Sequence, residues 1–264
     1  MQRLRVRYAK RGRLRFTSHR DISRAVERAV RRAGIPVAYS AGFTPHPKIS
    51  YAGAAPTGVA SEAEYLEIGV TRPCEPEKIR ADLDRSLPQG LDVLDVVEAR
   101  EGGLADRLEA SVWELRLPGA DADDAAVAVE KFLAADTVQV ERLTKKGLRS
   151  FDARSAVLSL TVQEGTGGAA GRVPERSCVI LRMVVRHDTP AVRPDDVLKA
   201  LRLVAGFAPP VPPEVTRLAQ GPLDERTGEP ADPFDLDRDG VRGADRGVSR
   251  GGDPDATGHV VGDL

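Results

Sequence analysis

The chain has 264 residues, 30% of them charged, and a net charge of only −1. That length supports one large domain or two small ones with a sizeable core. No run of about 18 apolar residues occurs, so no membrane-spanning helix is expected, and the basic N-terminus MQRLRVRYAKRGRLRF lacks the apolar centre of a secretory signal. The two cysteines, Cys74 and Cys178, are too far apart for a metal or redox motif and are expected as buried or half-buried thiols of a reduced cytoplasm.

Average charge hides a strong asymmetry. Residues 1–50 carry thirteen Arg and Lys against Asp21 and Glu27 alone, about +11. From Gln220 onward eleven Asp and Glu outnumber five arginines, about −6. One end can meet a polyanion and the other cannot.

In chain order, Leu4, Val6 and Tyr8 alternate with Arg3, Arg5 and Arg7, a strand period with the arginines toward solvent. Arg11-Gly12 reads as a turn, with Leu14 and Phe16 in a short return strand or an extended lead into a helix. The helix is the clearest element. Ser18 is its N-cap with Asp21 three residues on, and Ile22, Ala25, Val26, Ala29, Val30 and Ala33 form one apolar face. Gly34 and Pro36 stop it. Its other face carries Arg20, Arg24, Arg28, Arg31 and Arg32, relieved only by Glu27. Residues 36–40 (PVAYS) are β-prone, and a long loop follows, broken by Gly42, Pro45, Pro47, Gly53, Pro56 and Gly58 yet holding Phe43, His46, Lys48 and Tyr51. Strand patterns at 64–70 and 91–99 flank a helix at 76–87.

This order, β-α-β-β-α-β, predicts a ferredoxin-like half over residues 1–100. After Glu101-Gly102-Gly103 the pattern recurs more loosely over 108–216: a strand at 112–117, a helix at 123–135 and a strand at 138–143. A turn at Lys145-Lys146-Gly147 leads to 150–153, then strands at 156–162 and 177–185 enclose a glycine-rich loop at 165–173, and a helix at 197–204 ends in prolines. The expected fold is therefore α+β, two consecutive ferredoxin-like halves. Residues 222–264 are dense in Asp, Gly and Arg with few apolar residues, a composition that predicts a disordered acidic tail.

Candidate chemistry concentrates near the N-terminal helix. His19-Arg20-Asp21 is not a kinase catalytic loop, since the Asn that motif needs five residues past the Asp is Val26. Asp21 fits a helix-start role. His46 lies between Pro45 and Pro47, which restrict its backbone, and with Lys48 it could hold a phosphate or act as general acid. It could equally anchor the loop. No ligand spacing supports a metal site from His19, His46 and Asp21, and no cofactor fingerprint occurs. The excess of one charge sign on the helix is the stronger signal, because a solvated face ordinarily mixes signs at i, i+4. Arg stacks on bases and forks onto phosphate, and Tyr39, Phe43 and Tyr51 could stack on unpaired bases.

The run F-T-S-H-R-D-I-S-R-A-V-E-R-A-V-R-R-A-G-I-P-V-A-Y-S-A-G-F-T-P-H-P-K-I-S-Y-A, followed by P-T-G and E-Y-L-E-I, resembles the radical SAM-linked protein family, a bacterial domain of unknown function. The resemblance spans roughly residues 1–210 and leaves the acidic tail outside it. It implies a partner, because that domain is often fused to or encoded beside a B12-binding-type radical SAM protein, commonly near ribonuclease E/G genes. Two distant cysteines cannot hold a radical SAM cluster, which needs three at close spacing.

Three readings follow. The first is an accessory module presenting RNA, such as a tRNA or rRNA segment, to a separate radical SAM enzyme through Arg20, Arg24, Arg28, Arg31, Arg32, Lys48, Phe43 and Tyr51. The second is a metal-independent RNA-cleaving or RNA-modifying enzyme using His46, with His19 or Asp21 as second group. The third is a subunit that docks onto an acidic surface of the partner protein.

Overall fold

The computed structural model describes residues 1–144, 147–165 and 178–238. The expected turn at Lys145-Lys146, the glycine-rich loop from 166 and the tail from 239 lie outside the described residues. The architecture is mixed α+β, mostly sheet with four longer helices among the described residues.

The N-terminal half runs β1 (Gln2–Lys10), α1 (His19–Arg32), β2 (Ile49–Ala52), β3 (Ala60–Val70), α2 (Pro76–Ser86) and β4 (Leu91–Glu98). β1 lies between β4 and β3, antiparallel to both, and β2 pairs antiparallel with β3. Alternation does the sorting, as a period of two requires. Leu4, Val6, Tyr8, Leu66 and Ile68 point to one face and form a core with Ile22, Val26, Ala29 and Val30 of α1 and Ile79 and Leu83 of α2. The α1 spacing foretold this. Ser18 caps the helix by accepting from the Asp21 amide at 3.2 Å, and Gly34 leaves it at φ +64°.

Two local expectations need correcting. Residues 36–40 form no strand; Val37 and Tyr39 make only single bridges, to Val70 and Pro47. The strand is β2 instead, inside the stretch read as loop, because the proline-free run between Pro47 and Pro56 finds the edge of β3. Leu14 and Phe16 lie in a 3₁₀ turn (Gly12–Phe16) rather than a return strand.

The C-terminal half runs β5 (Ala110–Pro118), α3 (Ala122–Ala134), the hairpin β6 (Gln139–Thr144) and β7 (Gly147–Asp152), β8 (Val157–Gly165), β9 (Cys178–Arg186), α4 (Pro194–Ala205) and β10 (Glu214–Gly221). The β6–β7 hairpin is a sheet of its own. The predicted strands at 156–162 and 177–185 do pair, as β8 and β9. Trp113, Leu115, Leu117, Leu181 and Met183 pack against Ala125, Phe132, Val197 and Leu201 of α3 and α4.

β10 had no counterpart among the expected elements, although Val215, Arg217 and Ala219 alternate after the proline run. It is the seam of the molecule. It pairs antiparallel with β5 and parallel with β3 at Thr216↔Ala60 and Arg217↔Ser61, joining both halves into one eight-stranded sheet. Buried charges cluster at this seam. Arg217 donates to Glu64 at 2.5 Å and to Ser61 Oγ at 3.3 Å. Lys10 Nζ donates to the Ala55 and Pro56 carbonyls at 3.2 and 3.1 Å, and burial pushes its pKa down.

The tail is the largest correction. Residues 222–238, expected to be disordered, form a strap across the sheet: the short pair β11 (Leu223–Asp224) and β12 (Glu229–Pro230), then a terminal turn. Phe234 is fully buried with Ala63, Tyr65, Val97, Leu104 and Leu108, its ring edge-on to Tyr65 at 5.4 Å. Asp237 takes two 2.8 Å hydrogen bonds from Arg5 and one of 2.8 Å from Arg107. Arg5, expected in solvent, is 0% exposed beneath it. A composition average missed this because one aromatic and one carboxylate, correctly placed, are enough to dock a short segment.

Candidate nucleic-acid interface

The sequence assigns thirteen basic residues to the first fifty, and the structure divides them into two populations. On β1 the arginines are spoken for. Arg3 pairs with Glu67 at 3.5 Å, Arg5 with Asp237 and Glu67, and Arg7 with the Glu62 carbonyl at 3.0 Å and Asp232 at 4.0 Å. At the end of the strand, Arg11 bridges Glu62 and Asp92. Arg3 and Arg11 do face solvent, whereas Arg5 is buried and Arg7 half-buried against the expectation, and the protein supplies carboxylates to all four.

α1 differs. Arg20, Arg24, Arg28, Arg31 and Arg32 are all exposed. Among the described residues their single ion pair is Arg24 with Asp21, at 3.5 Å and solvent-exposed on both sides, an interaction of little energetic weight. The helix geometry explains why. Its apolar positions fix the inward face, so arginines at i, i+4 and i+8 must project outward together. Arg31 and Arg32 sit in the last turn, where the helix dipole favours cations.

Exposed aromatic side chains lie on either side of α1 in the chain. Phe43 is wholly exposed at the loop tip, and Tyr39 and Phe16 are also exposed. Arg15 stacks over the Phe16 ring at 4.8 Å. Sequence reasoning missed Arg15 and Phe16; the signal was an apolar aromatic between two basic stretches, R-L-R-F-T-S-H-R. An exposed ring beside an unpaired cation suits stacking on an unpaired base.

The histidines are separated. His19, at the first position of α1, meets the Tyr51 ring edge-on at 4.9 Å. Tyr51 reaches the helix side of β2, half-buried, and burial pushes its phenol up to about 12. His46 lies toward the other face, lining a cavity of about 250 Å³ with Arg3, Lys48, Ser50 and Glu67. Its backbone is clamped to Ser40: the Ser40 amide donates to its carbonyl at 2.8 Å, and its own amide donates to Ser40 Oγ at 3.0 Å. Lys48 Nζ points to Met1 Sδ at 3.7 Å. Asp21 is occupied at the helix start, accepting from Ser18 Oγ at 2.7 Å. The structure thus brings His46 and Lys48 to one cavity and leaves His19 and Asp21 at the helix N-terminus. Among the described residues no three His, Cys, Asp or Glu side chains are grouped to hold a metal ion. Nor is any described helix long and apolar enough to cross a membrane.

Comparison with known proteins places the chain in a family. Residues 3–194 match the family described as "Uncharacterized protein conserved in bacteria (DUF2344)", and the chain belongs to it. No curated protein matches the sequence. Among solved structures, the chain is similar to the one described as "Crystal Structure of a Cbf5-Nop10-Gar1 Complex", with 12% identity and a TM-score of 0.41 over 84% of this chain. The match spans half of that chain. It is also similar to "Structure A of CRISPR endoribonuclease Cse3 bound to 19 nt RNA", with 15% identity and a TM-score of 0.17, covering 80% of this chain and 94% of that one.

Proposed function

We propose that this member of the family is an accessory RNA-binding module whose contact surface is the outer face of α1 with the flanking aromatics. One observation carries the reading: Arg20, Arg28, Arg31 and Arg32 are exposed with no ion pair among the described residues, while the arginines of β1 are neutralised internally. Like charges this close destabilise a helix unless an anion offsets them, and a phosphate backbone is the polyanion that spaced guanidiniums fit best. Phe43, Phe16 and Tyr39 favour a strand with unstacked bases over a duplex.

The finer parts of this proposal are these. The body is read as two ferredoxin-like halves, supported by the helix-strand order and by β4-β1-β3 with β2 on β3 in the first half and β10-β5-β9-β8 in the second. The RNA is a tRNA or rRNA segment, and the module hands it to a separate radical SAM enzyme, on the strength of the family resemblance. A second reading keeps His46 as a general acid beside Lys48, because both line the 250 Å³ cavity.

The test is crosslinking and co-purification of nucleic acid with the native protein, followed by sequencing of the bound species. RNA enriched with wild type and lost with Arg28→Glu/Arg32→Glu is the expected result. Equal recovery by both would contradict the reading, and a radical SAM protein captured regardless of ribonuclease would favour protein docking instead. For the second reading, undiminished RNA turnover by His46→Ala would end it.

A further inference from the structure

Away from the basic helix, the seam between the halves encloses a cavity of about 430 Å³. Its walls come from residues 53–59 of the first half and from β5, β9, β10 and the start of α4 in the second. Trp113, Val185, Val192 and Val215 give it apolar sides; His187, Arg193, Asp195, Arg217 and Gln220 give it polar groups. A largely apolar cavity with a few convergent polar groups at an interdomain seam is the usual form of a small-ligand site.

The polar groups are charge-balanced. Arg217 is neutralised by Glu64 and sits over the Trp113 ring at 5.5 Å. His187 Nδ1 lies 2.6 Å from the Leu108 carbonyl, which can only accept, so Nδ1 carries the proton and Nε2 accepts from Ser111 Oγ, also at 2.6 Å. Burial pushes the His187 pKa down, so the ring is neutral. A phosphate would find no uncompensated cation in the interior. Exposed Arg193 and Asp195 offer a donor and an acceptor side by side at the rim.

Beside the cavity one buried acceptor is left unsatisfied. Gln220 is 1% exposed, and its Nε2 is bound to the Gly53 and Ala63 carbonyls at 3.1 and 2.7 Å. Its Oε1 is buried with no hydrogen-bond partner among the described residues, a costly condition for an acceptor. The backbone is shaped around it. Gly53 is at φ +58°, and a Cβ there would come within 2.6 Å of Oε1. Only glycine fits.

We propose that this seam cavity binds one neutral, planar nucleobase-type ring, held against Trp113 and the valines with its amide or amidine edge toward Asp195 at the rim. The proposal does not depend on the arginine face of α1. The ring could arrive as a free nucleoside or as a base turned out of an RNA strand.

Trp113 is the only tryptophan in the chain, so its fluorescence reports on this cavity alone. Full-length protein is titrated with nucleosides, with a short oligoribonucleotide and with its abasic counterpart. The controls are phenylalaninamide and two variants of exposed lining residues, Ala54→Phe to fill the space and Asp195→Asn to replace a rim carboxylate with an amide. Saturable change with nucleosides supports the proposal and identifies a free-nucleoside site. Change with the base-bearing oligomer but not the abasic one supports it with the base drawn from a strand. Ala54→Phe is expected to weaken either response by about tenfold or more, and Asp195→Asn to weaken it less. No response from any nucleoside or oligomer, an equal response to phenylalaninamide, or a response undiminished in Ala54→Phe would overturn it. RNA binding undiminished in the α1 double variant, with the nucleoside response intact, would sink the RNA-module reading alone.

Discussion

The arginines of β1 and of α1 look alike in sequence and live under opposite physical conditions. Arg5 lies under the strap with Asp237 forked onto it; Arg28, one helix away, faces water with no carboxylate partner among the described residues. On a strand, alternation sends every second residue to the same face, and here that face receives Glu67 and the strap's Asp232 and Asp237. On the helix, the inward stripe is filled by aliphatics, so the arginines project outward, and among the described residues only Arg24 has an ion pair, with Asp21. Guanidiniums matched by the protein's own carboxylates hold the fold together, and those left unmatched on α1 are available to a partner. The same residue type therefore predicts lost stability at one place and lost binding at the other.

The largest expected effect is on the buried population. Asp237→Ala leaves Arg5 and Arg107 buried without their shared carboxylate and should cost about 3–5 kcal/mol of stability, read as a shift in the denaturation midpoint. A shift within about 0.5 kcal/mol, the range of ordinary surface substitutions, would mean that the strap is not part of the fold.

A pH series sharpens the contrast. Burial alone would raise the Asp237 carboxyl, but hydrogen bonds from the Arg100 amide, Arg5 and Arg107 outweigh it and hold the pKa below the usual range. Stability from a depressed carboxyl is fully present above its unfolded value, near roughly 3.9, and is lost as pH falls through the lower folded value. The stability gap between wild type and Asp237→Asn should therefore narrow as the solution is acidified below about pH 4. A gap that widens on acidification would contradict this assignment.

A smaller effect belongs to the helix start. Ser18→Ala removes the cap on the Asp21 amide and should cost about 1 kcal/mol, measured by chemical denaturation. No loss would show that Asp21 and the helix dipole suffice.

Much of the first half was legible because its signals are local. Ser18, the aliphatic stripe from Ile22 to Val30 and Gly34 define α1 without reference to anything else. β2 was not legible, since Ile49–Ala52 becomes a strand only when β3 offers its edge. The strap was the hardest part: Asp237 finds Arg5 across 232 positions of sequence, and no window average reports a partner that distant. For the candidate site, the charge excess was visible, but its division was not. Which arginines remain free depends on which carboxylates fold over them, and those carboxylates come from β3, β4 and the strap. The seam cavity had no sequence signature either, because β10, which carries Arg217 and Gln220, was not among the expected elements.

The most direct measurement is the affinity for a single-stranded oligoribonucleotide across a salt series. It compares wild type, Arg28→Glu/Arg32→Glu on the helix and Arg3→Gln/Arg11→Gln on the strand. The helix variant should bind more weakly and lose about one to two units of the log–log salt slope, while the strand variant keeps the wild-type slope. A helix variant with an unchanged slope, or a strand variant that loses as much, would contradict the division of the arginines into structural and binding sets.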